Sequence, residues 1–138
     1  EIPFELGLLG HSDADALAHA VIDALLGACA LGDIGQHFPD SDEAFRGISS
    51  LLLAKEAAAR IRAAGFETVN IDSVITAQKP KLAPFREAMR ANLAKALGVP
   101  PENIGVKFTT PEGTGPEGNL ECITVRAVAA VRKVRIQC

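Results

Sequence analysis

Tryptophan and tyrosine are both absent from this sequence, and aromatic residues make up only 4% of it. The chain therefore lacks the aromatic surfaces on which unpaired bases usually stack. Its net charge of −3 provides no basic footprint for a nucleic-acid backbone. Although 48% of the residues are hydrophobic, no run approaches the roughly 20 consecutive apolar residues that a membrane span requires. We expect no nucleic-acid partner and no membrane partner.

Cysteine is also scarce, and its three copies are Cys29, Cys122 and Cys138. The number is odd and no two cysteines are close in sequence, which disfavours both disulfides and a thiolate metal site. Cys29 lies in an apolar helical stretch and Cys122 in a strand-like one. We therefore expect buried free thiols in a reducing compartment. The 138 residues are enough for one domain with a core of its own.

Periodicity and turn residues predict three helices, and three strands that follow a short N-terminal strand stub. Apolar residues at helical spacing follow Ser12, a good N-cap, and glycines close the first two helices. Runs rich in β-branched residues predict the strands. Helices on one face of a mixed four-stranded sheet would form a two-layer α/β (α+β) sandwich. The predicted helices are 13–31, 49–64 and 84–97, and the predicted strands are 66–78, 103–110 and 120–134.

Imidazoles and carboxylates are concentrated at the predicted start of the first helix. His11 precedes the Ser12 cap, beside backbone N–H groups that have no partner within a helix. Asp15, His19 and Asp23 are spaced four apart and share one stripe of that helix. Free donors, the positive end of a helix dipole and two imidazoles suit a phosphate or a metal-bound phosphate. The alternative is an ordinary cap, completed by Asp15, with histidines that bind no ligand.

Three loops carry further polar groups on what would be a rigid scaffold. The loop at 33–42 supplies carboxylates and a tight-turn glycine, which suit the hydroxyl groups of a sugar or polyol. The loop at 77–84 holds two lysines beside prolines and suits a base edge or a phosphate. Thr109, Thr110 and Glu112 suit phosphate oxygens and a hard cation such as Mg²⁺. The alternative for each loop taken singly is a solvated connection.

Several of these segments occur in an order that resembles a known enzyme family. They are Gly-His-Ser-Asp-Ala-Asp from Gly10, then His19, Asp-Ala-Leu-Leu-Gly from Asp23, Gly-Asp-Ile-Gly from Gly32, Phe-Pro-Asp-Ser-Asp from Phe38, Ala-Gln-Lys-Pro-Lys from Ala77 and Thr-Thr-Pro-Glu-Gly from Thr109. Over nearly its whole length the chain is similar to the 2-C-methyl-D-erythritol 2,4-cyclodiphosphate synthases of the non-mevalonate isoprenoid pathway.

The resemblance implies a homotrimer of α/β sandwich subunits with active sites at subunit boundaries. It implies that a small-molecule cytidine diphosphate substrate, 4-diphosphocytidyl-2-C-methyl-D-erythritol 2-phosphate, cyclises and releases CMP. Such a reaction requires alignment and charge neutralisation more than covalent catalysis. The expected location is the cytoplasm of a bacterium or the plastid stroma of a eukaryote. The rival interpretations are a metal-dependent phosphohydrolase and a catalytically silent trimeric nucleotide-binding module.

Residue roles follow from the same resemblance. His19 would bind Zn²⁺, together with an Asp and a His of a Gly-x-Asp-x-His segment on an N-terminal strand that this sequence is expected to lack. Glu112 would bind Mg²⁺ or Mn²⁺ between the two phosphates, and His11 and Thr110 would be the catalytic residues. His37 matches no role and is expected to be an exposed turn residue. The implied substrate-binding residues are His11, Ser12, Asp33, Ile34, Gly35, Phe38, Pro39, Asp40, Ser41, Asp42, Ala77, Gln78, Lys79, Pro80, Lys81, Leu82, Ala83, Thr109, Thr110 and Glu112.

Overall fold

Helices occupy the first half of the described chain, and helices and strands alternate from residue 50 onward. The structure, a computed structural model, describes residues 4–45, 47–78, 83–119 and 123–134, and it gives only the backbone over 4–13. Within these residues the elements are α1 (Phe4–Ala28), α2 (Ile34–His37), α3 (Ser50–Ala63), β1 (Phe66–Thr76), α4 (Arg86–Leu97), β2 (Ile104–Thr109), α5 (Gly115–Gly118) and β3 (Thr124–Lys133). Single 3₁₀ turns lie at Glu43–Phe45, Ala83–Phe85 and Pro101–Asn103.

The three strands form one mixed sheet in the order β2-β1-β3. The central strand β1 runs parallel to β2 and antiparallel to β3. The parallel register pairs Thr76 with Thr109, so β1 and β2 end side by side. The loops that follow these two strands therefore leave the sheet at the same edge.

Helices cover one face of this sheet, with α1 packed on β3, α3 on β1 and α4 on β2. Along β1, Ile71, Ser73 and Ile75 are buried under the helices, whereas Asn70 and Asp72 are exposed. This alternation is that of a strand with one face in the core and one face open. The predicted two-layer arrangement of helices on a mixed sheet is confirmed.

The sheet has three strands in the described part of the chain and not the predicted four. The strand stub predicted before the first helix is wrong, because α1 already begins at Phe4. Leu6, Leu8 and Leu9 are strong helix formers, and a helix that has nucleated extends at little cost. The cap predicted at Ser12 is wrong for the same reason, since the backbone there lies inside α1.

The first helix also ends at Ala28, before the predicted end at Leu31. Ala30 adopts the left-handed conformation with φ of 56°. The N–H of Leu31 then donates to the carbonyl of Leu26 at 2.9 Å. This is the Schellman type of helix ending, in which glycine usually occupies the left-handed position. The chain turns here with alanine, which the sequence pattern does not reveal.

Cys29 lies in this turn and is buried. Burial raises the pKa of the Cys29 thiol because the thiolate would lose its hydration. The prediction of a buried free thiol is confirmed at this position. Cys122 and Cys138 lie outside the described residues.

The remaining predicted helices and strands are confirmed, with ends that lie within two residues of the prediction except at the start of β3. That strand begins at Thr124, and residues 120–122 are outside the described part. The predicted glycine-rich loop at 111–119 contains the one-turn helix α5. Across the described residues, none of the helices has both the length and the apolar character to cross a membrane.

Candidate active site

One stripe of α1 holds together the start of α3 and the start of α2. The Ser50 Oγ donates to Asp15 Oδ1 at 2.5 Å and lies 3.4 Å from His19 Nε2. One turn further along, Asp23 Oδ1 accepts from the N–H of Ile34 at 2.8 Å. The predicted shared stripe of Asp15, His19 and Asp23 is confirmed: Asp15 and His19 reach Ser50 of α3, and Asp23 reaches the start of α2.

The Ser50 hydroxyl determines how the His19 imidazole is presented. A carboxylate only accepts, so the single hydroxyl proton of Ser50 is directed at Asp15. Towards His19, Ser50 can then only accept, which favours an imidazole proton on Nε2 and a lone pair on Nδ1. Ser50 is only 6% exposed, and the sequence analysis missed it. The signal was a second serine directly after the helix cap Ser49.

A cavity of about 590 Å³ opens beside His19. The resemblance implies that His19 is a metal ligand, that 33–35 is a ribose-binding turn (the ribose turn) and that 38–42 is a wall around the methylerythritol (the sugar wall). The cavity is lined by His19, by two residues of the ribose turn and by three residues of the sugar wall. These residues, separated by up to 21 positions in sequence, therefore meet at one place. The lining consists of His19, Ile34, Gly35, Phe38, Pro39 and Asp40, together with Phe45, Gly47, Ile48 and Leu53, which were not predicted.

A capping box closes the predicted ribose turn and restrains its backbone. Asp33 Oδ1 accepts from the N–H of Gln36 at 2.8 Å, and Gln36 Oε1 accepts from the N–H of Asp33 at 3.1 Å. Gly32, with φ of 102°, lies under the Gln36 side chain, and a Cβ there would overlap Gln36 Oε1. Glycine is thus favoured at that position by the backbone conformation, and any larger residue would displace the Gln36 side chain from the capping box.

The last two predicted wall residues lie beyond the cavity lining. Asp42 Oδ1 accepts from the N–H of Ala44 at 2.9 Å and shapes the following 3₁₀ turn. Ser41 is exposed. The Asp42 carboxylate therefore already has a local structural role, whatever ligand it also contacts.

A second group of predicted site residues lies where β1 and β2 end. The N–H of Ala77 donates to the Thr109 carbonyl at 3.2 Å, which continues the pairing of the two strands. Gln78 Oε1 accepts from the N–H of Gly113 at 2.8 Å. These two bonds join the predicted base-binding loop to the predicted phosphate-binding loop. The topology of the sheet thus explains why the two loops are adjacent.

Thr110 and Glu112 form a tight turn with exposed side chains. Thr110 Oγ1 accepts from the N–H of Glu112 at 3.0 Å. Glu112 has φ of 55°, a left-handed conformation that is strained for any residue with a Cβ. Strain of this kind is often retained at functional sites. Both side chains are accessible to a phosphate or a cation.

The loop after Glu112 is tied to β3 through Glu117. Thr124 Oγ1 donates to Glu117 Oε1 at 2.6 Å. This bond lowers the pKa of the Glu117 carboxyl, and the backbone N–H of Glu117 and the positive charge of Arg126 act in the same direction. The contact between α5 and β3 is therefore strongest when Glu117 is ionised.

His37 is not the exposed turn residue that the sequence predicts. It is half-buried, with Nε2 2.8 Å from the Leu31 carbonyl oxygen and Nδ1 3.0 Å from Arg60 Nη1. The prediction is wrong because it treated α2 as an isolated turn, whereas α3 packs against it through Arg60. Arg60 was missed as well, since nothing local links it to a residue 23 positions earlier.

Several predicted residues lie outside what the structure describes. The side chains of His11 and Ser12 are not described, and neither are Lys79, Pro80, Lys81 and Leu82; Ala83 is exposed at the start of a 3₁₀ turn. Their roles stay predictions. Among the described residues, the cavity lining contains no member of the group at 77–112, and no three His, Cys, Asp or Glu side chains cluster as a metal centre.

Sequence comparison identifies relatives over almost the whole chain. Residues 1–132 match the YgbB family. The bifunctional enzyme IspD/IspF of Albidiferax ferrireducens is 56% identical over 133 residues, which are 96% of this chain and 32% of that protein. The 2-C-methyl-D-erythritol 2,4-cyclodiphosphate synthase of Clostridium botulinum is 55% identical over 133 residues, which are 96% of this chain and 85% of that protein.

Solved structures with the same fold include proteins crystallised with nucleotide. The bifunctional IspDF from Campylobacter jejuni superposes with a TM-score of 0.81 and 42% identity, over 86% of this chain and 32% of that one. A 2C-methyl-D-erythritol-2,4-cyclodiphosphate synthase in its CDP-bound form gives 0.75 and 37%, over 83% and 74%. IspF of Plasmodium falciparum in a CDP complex gives 0.75 and 26%, over 87% and 72%. With a family match over residues 1–132 and 55% identity to a synthase covered over 85% of its length, this chain belongs to the YgbB family.

Proposed function

We propose that the protein is a 2-C-methyl-D-erythritol 2,4-cyclodiphosphate synthase, a lyase of isoprenoid biosynthesis. The observation that carries the proposal is the convergence of His19, Ile34, Gly35 and the wall Phe38–Asp40 on one cavity in a chain of this family. The relatives favour cyclisation and give no support to a phosphohydrolase or a silent nucleotide-binding module. Bacterial relatives such as that of Clostridium botulinum favour a cytoplasmic location over the plastid stroma.

The reaction transfers a phosphoryl group within one molecule. An oxygen of the 2-phosphate attacks the β-phosphorus of 4-diphosphocytidyl-2-C-methyl-D-erythritol 2-phosphate. The new P–O bond closes the ring, the bond from the β-phosphorus to the bridging oxygen breaks, and CMP leaves with that oxygen. No water is consumed. The protein has to fold the substrate back on itself and neutralise the charge of two phosphoryl groups.

The cavity beside His19 would hold the ribose and the methylerythritol. Asp33 would accept from a ribose hydroxyl, and Ile34 and Gly35 would present backbone groups that the capping box fixes in place. The apolar faces of Phe38 and Pro39, with Asp40 beside them, suit a branched polyol. CDP in two of the similar structures supports a cytidine nucleotide as the ligand class.

The loop after β2 would contact the diphosphate. Because the N–H of Glu112 holds Thr110 Oγ1 at 3.0 Å, the threonine proton would be donated outwards to a diphosphate oxygen. That bond strengthens as negative charge develops in the transition state, so it contributes to turnover more than to ground-state binding. The predicted role of His11 is to stabilise charge on the 2-phosphate.

Two metal sites belong to the proposal. His19 fits a Zn²⁺ ligand because Ser50 orients the ring and the cavity borders it; the set would be completed by the Asp and His of the expected Gly-x-Asp-x-His segment. Glu112 fits Mg²⁺ or Mn²⁺ because its carboxylate is exposed and hard. When bound, the two cations would supply Lewis-acid stabilisation of phosphate charge.

We also propose a homotrimer with active sites at subunit boundaries. In the described part of one chain, the cavity beside His19 and the group at 77–112 are separate, so a second copy would bring them together. The open face of the sheet carries Val128, which is 71% exposed, and such an apolar side chain favours burial against another subunit. Light scattering should give the mass of a trimer, and Val128→Asp should lower it.

Product analysis tests the proposed reaction. Incubation with 4-diphosphocytidyl-2-C-methyl-D-erythritol 2-phosphate and divalent metal should give the cyclic diphosphate and CMP in equal amounts. Phosphorus NMR identifies and quantifies both products. Linear hydrolysis products without a cyclic diphosphate would refute it. His19→Ala should lower zinc content and activity together; full zinc content in that variant would show that His19 is no ligand.

Thr110→Ala tests the phosphate-binding role. We expect kcat to fall by about 10²-fold, as for other oxyanion donors, while CMP affinity changes far less. Thr114→Ala is the matched control, because its hydroxyl donates to the Pro111 carbonyl within the same turn. Equal losses of turnover and CMP affinity in Thr110→Ala would contradict the role.

A further inference from the structure

The guanidinium of Arg60 on α3 packs behind the wall of the cavity. Its Cζ lies 4.6 Å from the ring centroid of Phe38 and 5.9 Å from that of Phe45. The two rings meet edge to face with centroids 5.1 Å apart, and both line the cavity. Arg60 is not among the lining residues. It therefore contacts the wall from outside the ligand space.

His37 connects Arg60 to the turn after α1. Arg60 Nη1 lies 3.0 Å from His37 Nδ1 and donates to the His37 carbonyl oxygen at 3.1 Å. On the other edge of the ring, His37 Nε2 lies 2.8 Å from the Leu31 carbonyl oxygen. A carbonyl only accepts and a guanidinium only donates, so these contacts require a neutral ring with its proton on Nε2. The imidazole thus links the Arg60 guanidinium to the backbone carbonyl of Leu31.

We propose that Arg60 is a positioning residue for the cavity wall, acting through His37 and Phe38. The proposal rests on the proposed function in that this wall binds the sugar part of the substrate. A wall that is held in its binding form before the ligand arrives costs less entropy to order on binding.

Arginine is required for this role by its shape as well as by its charge. The planar cation stacks on Phe38 while its N–H fork reaches two acceptors of His37. A lysine ammonium carries the same charge but cannot stack and bridge at the same time. Glu56, whose Oε1 lies 3.4 Å from Arg60 Nε, fixes the third side of the guanidinium.

The test compares Arg60 with Arg62. Both are basic residues of the last turn of α3, and Arg62 is exposed, so its substitution removes the same charge from the same helix end. Arg60→Ala and Arg60→Lys should each raise KM for the substrate by about tenfold, equivalent to about 1.4 kcal/mol. Their kcat should stay within about twofold, the pattern of lost uniform binding. Arg62→Ala and Arg62→Lys should leave both constants within about twofold.

Nitrogen NMR of His37 supplies a readout that general destabilisation does not move. The proton should be on Nε2 in the wild-type protein, and the Nδ1 resonance should shift in both Arg60 variants but not in the Arg62 variants. A proton on Nδ1 in the wild type would overturn the proposal. So would wild-type KM in the Arg60 variants, wild-type KM in Arg60→Lys alone, or an equal rise in the Arg62 variants.

Failure of the proposed function is distinguishable from failure of this inference. Absence of cyclisation by the wild-type protein refutes the function. In that case the dissociation constants of 4-diphosphocytidyl-2-C-methyl-D-erythritol 2-phosphate for the same four variants decide the positioning role, with a rise of about tenfold expected for the Arg60 variants only. Unchanged affinity for this ligand in the Arg60 variants would then overturn it.

Discussion

The Asp23 carboxylate ties the helix that carries His19 to the start of α2, and we predict that removing it loosens the turn at 33–35. Asp23 Oδ1 accepts from the N–H of Ile34 at 2.8 Å. A sheltered hydrogen bond to a charged acceptor contributes roughly 1.5–3 kcal/mol. Asp23 is exposed, however, and exposed helix caps contribute roughly 0.5–2 kcal/mol. Asp23→Ala should therefore lower the free energy of unfolding by about 1 kcal/mol.

The size of the effect should follow the chemistry of the substitution. Asp23→Asn keeps an acceptor and loses only the charge near the first turn of α2, so it should cost about 0.5 kcal/mol. Asp23→Ala should lower Tm by about 3–5 °C. It should weaken CDP binding by at most about fivefold, because the free energy of binding can fall by no more than the lost free energy of ordering the turn, about 1 kcal/mol. Urea unfolding, thermal unfolding and CDP titration measure these quantities.

A control variant and an amide-exchange measurement test whether the Asp23 bond holds the turn. Glu43→Ala removes an exposed carboxylate from the 3₁₀ turn Glu43–Phe45 and should change stability by less than about 0.5 kcal/mol. Hydrogen exchange of the Ile34 amide should be slow in the wild type and fast in Asp23→Ala, because its acceptor is lost. If that exchange rate stays unchanged, the bond does not hold the turn, and any stability loss has another cause.

The remaining predictions concern the end of α1 and two titrating groups. Ala30→Gly should raise the free energy of unfolding by about 0.5–1 kcal/mol, because glycine relieves the left-handed strain at φ of 56° and loses part of that gain to unfolded-state entropy; urea unfolding tests it, and a destabilised variant would contradict it. The lowered pKa of Glu117 stabilises the fold above the unfolded pKa, and this contribution is lost as pH falls through the folded pKa. The stability difference between wild type and Thr124→Val should therefore shrink below about pH 4; a constant difference would argue against the bond. The raised pKa of Cys29 acts in the opposite sense, so its contribution is present below the unfolded pKa of about 8.5 and is lost as pH rises through the folded pKa. Above about pH 8.5, the wild-type protein should lose stability relative to Cys29→Ala. Native Cys29 should also resist alkylation until the protein is unfolded in urea.

Secondary structure was predictable wherever one local signal decides it. The strand at β1 follows from its β-branched residues, and the ends of α3 follow from the Ser49 cap and the turn at Gly65. The start of α1 was not predictable from its cap signal. Ser12 followed by Asp15 has the pattern of a helix start, yet helix formers continue on its N-terminal side and the backbone stays helical there. A capping pattern shows that a helix can begin at a residue and does not prevent one from running through it.

In the candidate site too, residues with a local sequence signal were predicted, and residues positioned by distant contacts were missed. Six of the ten residues that line the cavity were predicted, most of them because they occur in short contiguous segments, such as Phe38–Asp40, whose chemistry can be compared with a family. Ser50 and Arg60 were missed because their partners lie 35 and 23 positions away, and only the packing of α3 against α1 and α2 brings them into range. A serine in the first turn of a helix and an arginine in its last turn have ordinary local explanations as a cap neighbour and a dipole partner. The layer behind the cavity lining is therefore where sequence patterns carry the least information, although Ser50 and Arg60 in that layer contact the side chains of His19 and Phe38 that line the cavity.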